Sequence, residues 1–221
     1  MNSARNNPFA AQQLERIDFR FLVGSWHDAL EQLQRMNWRG TVIGKCGSGK
    51  STLLRQLAQK LNREVDRWGA SHYEYVSIDK SKRQVQWRRM MEAIERNEIL
   101  LLDGLERFSW SQRWHLIFGK ELRTAKIIGT THRRMGLPVW IQLNPDADTI
   151  EYCLRELVPI ANDDLITRCI ELFGEHDGNL REAFRSLYDE WPIWQRKLPC
   201  PTEVGVVAQS GINQGDSDTG N

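Results

Sequence analysis

The octapeptide GKCGSGKS, residues 44 to 51, fits the spacing G-x-x-x-x-G-K-[ST]. Residues of these types in this order suit phosphate. Gly44, Gly47 and Gly49 let the backbone take positive φ and turn its N–H groups inward around phosphate oxygens. A helix starting near Lys50 adds its unpaired N-terminal amides and the positive end of its dipole. Lys50 can reach the β- and γ-phosphates, the Ser51 hydroxyl can ligate magnesium, and Lys45, Cys46, Ser48 and Thr52 complete the binding segment. Cys46 reads as a small residue that the loop tolerates. The alternative is a glycine-rich turn that binds nothing. At roughly 7% glycine, a full match arises by chance on the order of once in a hundred chains.

Asp103 ends the apolar run EILLLD, residues 98 to 103. A carboxylate at the carboxyl end of a central strand, beside a phosphate loop, can hold magnesium through water or together with Ser51. Asp103-Gly104 is also a turn dipeptide, so a turn or helix-capping role stays open. Glu106 is the next acid. A general base needs only hydrogen-bond reach of the attacking water, so Glu106 is a candidate; the other reading is a solvated acid paired with Arg107.

A third stretch, DKSKRQVQWRR (79 to 89), sets Lys80, Lys82, Arg83, Arg88 and Arg89 around Trp87. Basic residues with an interleaved aromatic can contact phosphates and stack a base, which makes this a candidate nucleic-acid contact. Glu92 and Glu95 follow, so a solvated amphipathic helix also accounts for it. Trp110, Trp114 and Trp140 read as core or interface anchors rather than a stacking platform. His72, His115 and His176 have no ligand-like spacing, and no transition-metal site is expected.

These side chains need a scaffold. GTVIG (40 to 44), YEYVSID (73 to 79), EILLLD (98 to 103), AKIIGTT (125 to 131) and PVWIQL (138 to 143) read as strands. Helical stretches at 51 to 62, 84 to 96 and 111 to 124 separate them. The expected fold is α/β, a doubly wound, parallel, five-stranded sheet with right-handed crossovers. Past residue 145 the pattern turns helical: Ile150, Cys153, Leu154 and Leu157 share one face, and Leu180, Ala183, Phe184 and Leu187 another. The expected organisation is an N-terminal arm (1 to 20), a nucleotide-binding α/β domain (21 to 145), a helical lid (146 to 196) and a disordered tail (197 to 221). Asn7-Pro8-Phe9 is a candidate for lying against the body.

Composition narrows the class without naming a partner. The 221 residues carry 30 Lys and Arg against 29 Asp and Glu. No run is long and apolar enough for a signal peptide or a membrane span, and the four cysteines form no CxxC pair, so a cytoplasmic protein with no membrane partner is expected.

Phosphate loop after the first strand, acid after the third, and the polar tip Thr130-Thr131-His132 on the fourth resemble the P-loop ATPases with an added strand between the two motifs. WIQLNPDADTIEYCLREL (140 to 157) resembles the fifth strand and first lid helix of the AAA+ family, and GNLREAF (178 to 184) is similar to that family's sensor 2 helix. The resemblance covers roughly residues 15 to 190. It implies ATP and magnesium as cofactors and an ATPase whose nucleotide state switches its contact with a protein partner or a second copy. It further implies Thr130 or Thr131 sensing the γ-phosphate, Arg181 reaching the nucleotide from the lid with Arg185 as its alternative, and an adenine site around Arg20 to Val23. Two positions depart from the family. Asp103-Gly104 stands where an Asp-Glu pair is usual. Arg133 and Arg134, the candidates for an arginine finger, come early and also read as surface cations. The missing glutamate keeps open a nucleotide-gated binding module with little hydrolysis. A small P-loop kinase is the remaining alternative, although the lid lacks a dense arginine cluster.

Overall fold

Five short apolar segments meet edge to edge in the computed structural model, which describes residues 7–21, 24–63 and 72–198. β1 (Gly40–Gly44), β2 (Tyr73–Ser77), β3 (Ile99–Asp103), β4 (Ile127–Thr131) and β5 (Val139–Leu143) form one parallel sheet in the order β2-β3-β4-β1-β5. β4 therefore lies between the strand that opens the phosphate loop and the strand that ends in Asp103, as expected. All five residues of β1 and of β4 are buried, which a sheet covered on both faces requires.

Alternation along β3 divides the core. Ile99 and Leu101 face a cluster built by α2 (Trp26–Arg35) and α3 (Lys50–Arg63), with Leu30, Leu33, Leu53 and Leu57 at its centre. Leu100 and Leu102 face the opposite cluster, where Met90 and Ala93 of α4 (Arg83–Glu95) meet Leu116 of α5 (Trp110–Phe118). α1 (Ala11–Leu14) is a single turn.

Several boundaries shift by a residue or two from the sequence pattern, β4 for one starting at Ile127 rather than residue 125, and two differences have a local reason. The helix expected to reach residue 124 ends at Phe118, because Gly119 takes a non-helical backbone; a 3₁₀ turn follows at Lys120–Leu122. β2 stops at Ser77 rather than residue 79. Asp79 instead accepts hydrogen bonds from the Ser81 amide and hydroxyl, both 2.8 Å, closing a turn with its own side chain.

Past β5, α6 (Ala147–Leu157), α7 (Asp163–Glu175) and α8 (Leu180–Lys197) each begin at a capping side chain, Asp146, Asn162 and Asn179. They surround a core of their own, including Ile150, Leu154, Leu165, Phe184 and Leu187. Phe9 belongs to it, 2% exposed and 5.8 Å from the Phe184 ring. A helix proline explains the neighbouring contact. Pro192 has no N–H to give the Tyr188 carbonyl one turn back, and the Asn7 carboxamide donates to that oxygen at 2.9 Å. Leu14 and Ile17 pack on the same core. Of the expected tail, Lys197 instead ends α8 and Leu198 is buried in this core, while residues 199 to 221 lie outside the described residues. No described helix is long and apolar enough to cross a membrane.

Candidate functional site

The sequence-predicted residues converge at the carboxyl end of the sheet. Gly47 and Gly49 hold φ of 73° and 88°, a backbone region closed to most side chains. Lys50 is buried, and its ammonium donates to the carbonyls of Gly44 at 2.7 Å and Lys45 at 2.6 Å. Burial lowers its pKa, opposed by the charges of Cys46, Glu106 and Asp103. Thr52 lies half-buried in the first turn of α3.

Asp103 collects hydroxyls. Ser51 donates to its Oδ1 at 3.1 Å, Thr130 to the same oxygen at 2.7 Å, and Tyr75 to Oδ2 at 3.4 Å. Burial and the Asp103 charge push the Tyr75 phenol up to about 12. Thr130 also accepts from the Gly104 amide at 2.8 Å, where a φ of 92° turns the chain out of β3. The carboxylate that ends β3 is thereby pinned to the tip of β4 and the start of α3. Asp103-Gly104 does make a turn, and the carboxylate is still aimed at Ser51.

Beyond that turn Glu106 sits in a 3₁₀ turn, Leu105–Arg107. Arg107 does not pair with it, donating instead to the Ile78 carbonyl at 2.9 Å. Glu106 Oε1 lies 3.2 Å from His132 Nε2, and Glu106 Oε2 is buried with no hydrogen-bond partner among the described residues. His132 Nδ1 lies 3.2 Å from the Gly44 carbonyl and 3.4 Å from the Lys50 ammonium. This imidazole joins the displaced glutamate to the phosphate loop, a role the sequence reading did not give it. Its place as the last residue of the polar tip was the available signal.

Other predicted residues are distributed unevenly around this centre. The Thr131 hydroxyl donates to the Arg133 carbonyl at 3.0 Å and faces Met135 Sδ at 3.1 Å, so it serves the turn, and Thr130 makes the contact with Asp103. Arg181 comes close through its backbone: a Cβ on Gly47 would lie 2.9 Å from the Arg181 nitrogen and collide with the Asn179 carboxamide oxygen. The Arg181 side chain is exposed. Lys45 reaches the same end of α8, donating to the Asp177 carbonyl at 2.9 Å. Arg185, its alternative, lies beside Glu182 at 3.7 Å. Arg133 and Arg134 are exposed. Near the expected adenine site, Phe19 packs beside Gly49 and the Arg20 guanidinium lies over the Tyr152 ring of α6, while Leu22 and Val23 fall outside the described residues.

In the 79 to 89 segment Trp87 is half-buried, with its ring centroid 5.5 Å from Phe108 in a T-shaped pair and 5.9 Å from His115, holding α4 to α5. Arg89 is paired with Glu74. Of the tryptophans expected as core or interface anchors, Trp140 is buried and donates to the Ala29 carbonyl, whereas Trp110 at 73% and Trp114 at 51% exposure are not in the core.

The donor set suits a nucleotide with a hard cation. Gly47 and Gly49 at positive φ, unlike Gly44, which was expected to share it but ends β1, and a buried ammonium held by loop carbonyls form the loop. Ser51 and Asp103 offer the oxygen ligands that magnesium prefers. Among the described residues no three His, Cys, Asp or Glu side chains gather, so the rest of its ligands would come from phosphate and water.

No family model and no curated protein matches the chain. Among solved structures the chain is similar to domain III of the Thermotoga maritima replication initiation protein DnaA, at 17% identity and a TM-score of 0.48, over 80% of this chain and 87% of that one. A likeness that distant carries no weight for function, which rests here on the chain's own side chains.

Proposed function

We propose that this chain binds Mg-ATP on the 44 to 51 loop and hydrolyses it, as a compact ATPase of the AAA+ type whose helical lid responds to the nucleotide. The observation that carries this reading is the link from Glu106 to the 44 to 51 loop: Glu106 Oε1 lies 3.2 Å from His132 Nε2, and His132 Nδ1 lies 3.2 Å from the Gly44 carbonyl.

Lys50 would exchange the carbonyls of Gly44 and Lys45 for phosphate oxygens, a stronger charge-assisted contact. Ser51 and Asp103 would hold the magnesium ion, which neutralises charge on the phosphates when bound. Thr130 keeps Asp103 in place. Glu106 would turn its carboxylate toward the attacking water and take a proton from it as the water oxygen bonds to the γ-phosphorus and the bond to the β,γ-bridging oxygen breaks. His132, which lies between Gly44 O and Glu106 Oε1 with the Lys50 ammonium also beside its Nδ1, would orient the base. Arg181, whose backbone abuts Gly47, would carry the change in phosphate charge to the lid, and Arg133 or Arg134 is the candidate finger toward a second copy or protein partner.

A second reading keeps ATP binding and drops fast hydrolysis. It is favoured by one fact: Gly104 occupies the position directly after Asp103, and the available glutamate has one oxygen committed to His132. The deciding experiment is calorimetric ATP binding together with steady-state turnover, for wild type, Glu106→Gln and Lys50→Ala. Turnover lost in Glu106→Gln with binding retained supports the ATPase. Binding without turnover in wild type leaves the gated module. No binding in wild type overturns both.

A further inference from the structure

We infer that the outer face of α5 is a binding surface for single-stranded nucleic acid, with Trp110 and Trp114 as base-stacking platforms and arginines on either side as phosphate contacts. This inference does not rest on the ATPase reading. Trp110, Trp114 and Phe118 recur at i, i+4 and i+8, so they share one face of α5, and all three are more than half exposed. The Trp114 and Phe118 rings touch at 5.6 Å, which makes the stripe continuous. Leu116 on the opposite side anchors the helix to the sheet, so the stripe faces away from the core.

Basic elements flank it on both sides. On one side His115 packs against Trp87 of α4, where Arg88 is exposed. On the other, Ile117 packs against Gly136, in the loop that carries exposed Arg133 and Arg134. Residues 79 to 134 hold 13 Lys and Arg against 7 Asp and Glu, in a chain where the totals are 30 and 29. The stretch of sequence that carries the aromatics is thus the basic part of the chain. A stripe of exposed rings bordered by arginines matches a chain of anionic phosphates with unstacked bases. A duplex hides its base faces, and a wholly apolar protein partner would leave the arginines unpaired. Glu92 and Glu95 are exposed toward the far end of α4, which confines the track to that helix's first turns.

The test is fluorescence anisotropy with the full chain, without nucleotide, on a labelled oligo-dT of about 20 nucleotides and on a duplex of equal length. Wild type is expected to prefer the single strand and to show quenched tryptophan emission when bound. Trp110→Ala/Trp114→Ala, at exposed positions that leave the fold intact by circular dichroism, should weaken binding about tenfold or more. Arg88→Ala/Arg133→Ala should flatten the log-affinity against log-salt slope by about 1.4, at ~0.7 per phosphate. Absence of binding at low salt, equal affinity for duplex, or a tryptophan variant within twofold of wild type would each overturn the proposal. So would a dimer in sedimentation that the tryptophan variant disperses and oligo-dT does not, since a second copy would then own the face. Failure here leaves the ATP site untouched, because no nucleotide is present.

Discussion

Asp103 and Glu106 stand three residues apart and occupy opposite surroundings. Three hydroxyls, from Ser51, Tyr75 and Thr130, already satisfy Asp103. Glu106 has one contact, to His132, and one buried oxygen left over. The difference separates a carboxylate that is preorganised from one that is only poised. Asp103 is part of what holds the ends of β3, β4 and α3 together, so its geometry exists before any ligand arrives. Glu106 is held by that one contact, and a turn of its side chain would bring the buried oxygen to water.

Substitutions should separate the two. Asp103→Ala strands three hydroxyls, one of them buried, and is expected to abolish magnesium-dependent turnover and lower unfolding stability by about 2–3 kcal/mol in urea titration. Glu106→Gln is expected to cut turnover about 100-fold while leaving stability within ~0.5 kcal/mol. If both variants lost stability equally, the contrast between a structural and a reactive carboxylate would fail.

Thr130→Val probes the same contrast from β4. It removes the donor to Asp103 and the acceptor for the buried Gly104 amide, and should cost about 1–2 kcal/mol in the same titration. Thr131→Val should cost less, since that hydroxyl serves only its own turn. The smallest perturbation is chemical. Cys46 is exposed in the phosphate loop, whereas burial pushes Cys153 up to about 11 and Cys169 up to about 12. Only the thiolate is reactive, so at neutral pH an alkylating agent followed by mass spectrometry should modify Cys46 far faster than the other two. Saturating Mg-ATP should slow that reaction if the loop closes on phosphate.

Much of this was legible before folding, and the exceptions have physical causes. The phosphate loop and the strand ending in Asp103 are local in sequence, so spacing and apolar runs expose them. His132 is less so: its contacts reach back 88 residues to Gly44 and 26 to Glu106, and its place on the polar tip is a signal that does not say what it bridges. Whether a tryptophan would be a core or an interface anchor was not legible either. An apolar stripe at i, i+4, i+8 normally faces a core, and Trp110, Trp114 and Phe118 carry that pattern outward, while Leu116 alone is buried on α5. Trp87, in a segment rich in charge, went inward because α4 needs a large ring against Phe108. Where Phe9 would dock was equally hidden, because the acceptor that fixes Asn7 exists only where Pro192 leaves the Tyr188 carbonyl unpaired.

That docking restricts how the molecule can move. Residues 9 to 17 are anchored in the core of the helical unit, while Phe19 is packed on the sheet side with Phe21 and Trp26. The polypeptide therefore passes between the two cores twice, once just after Ile17 and once between β5 and α6. Two anchor points define a line, and rotation about that line stretches neither connection. In such a rotation the start of α8, which rests on Gly47, would be the contact that parts.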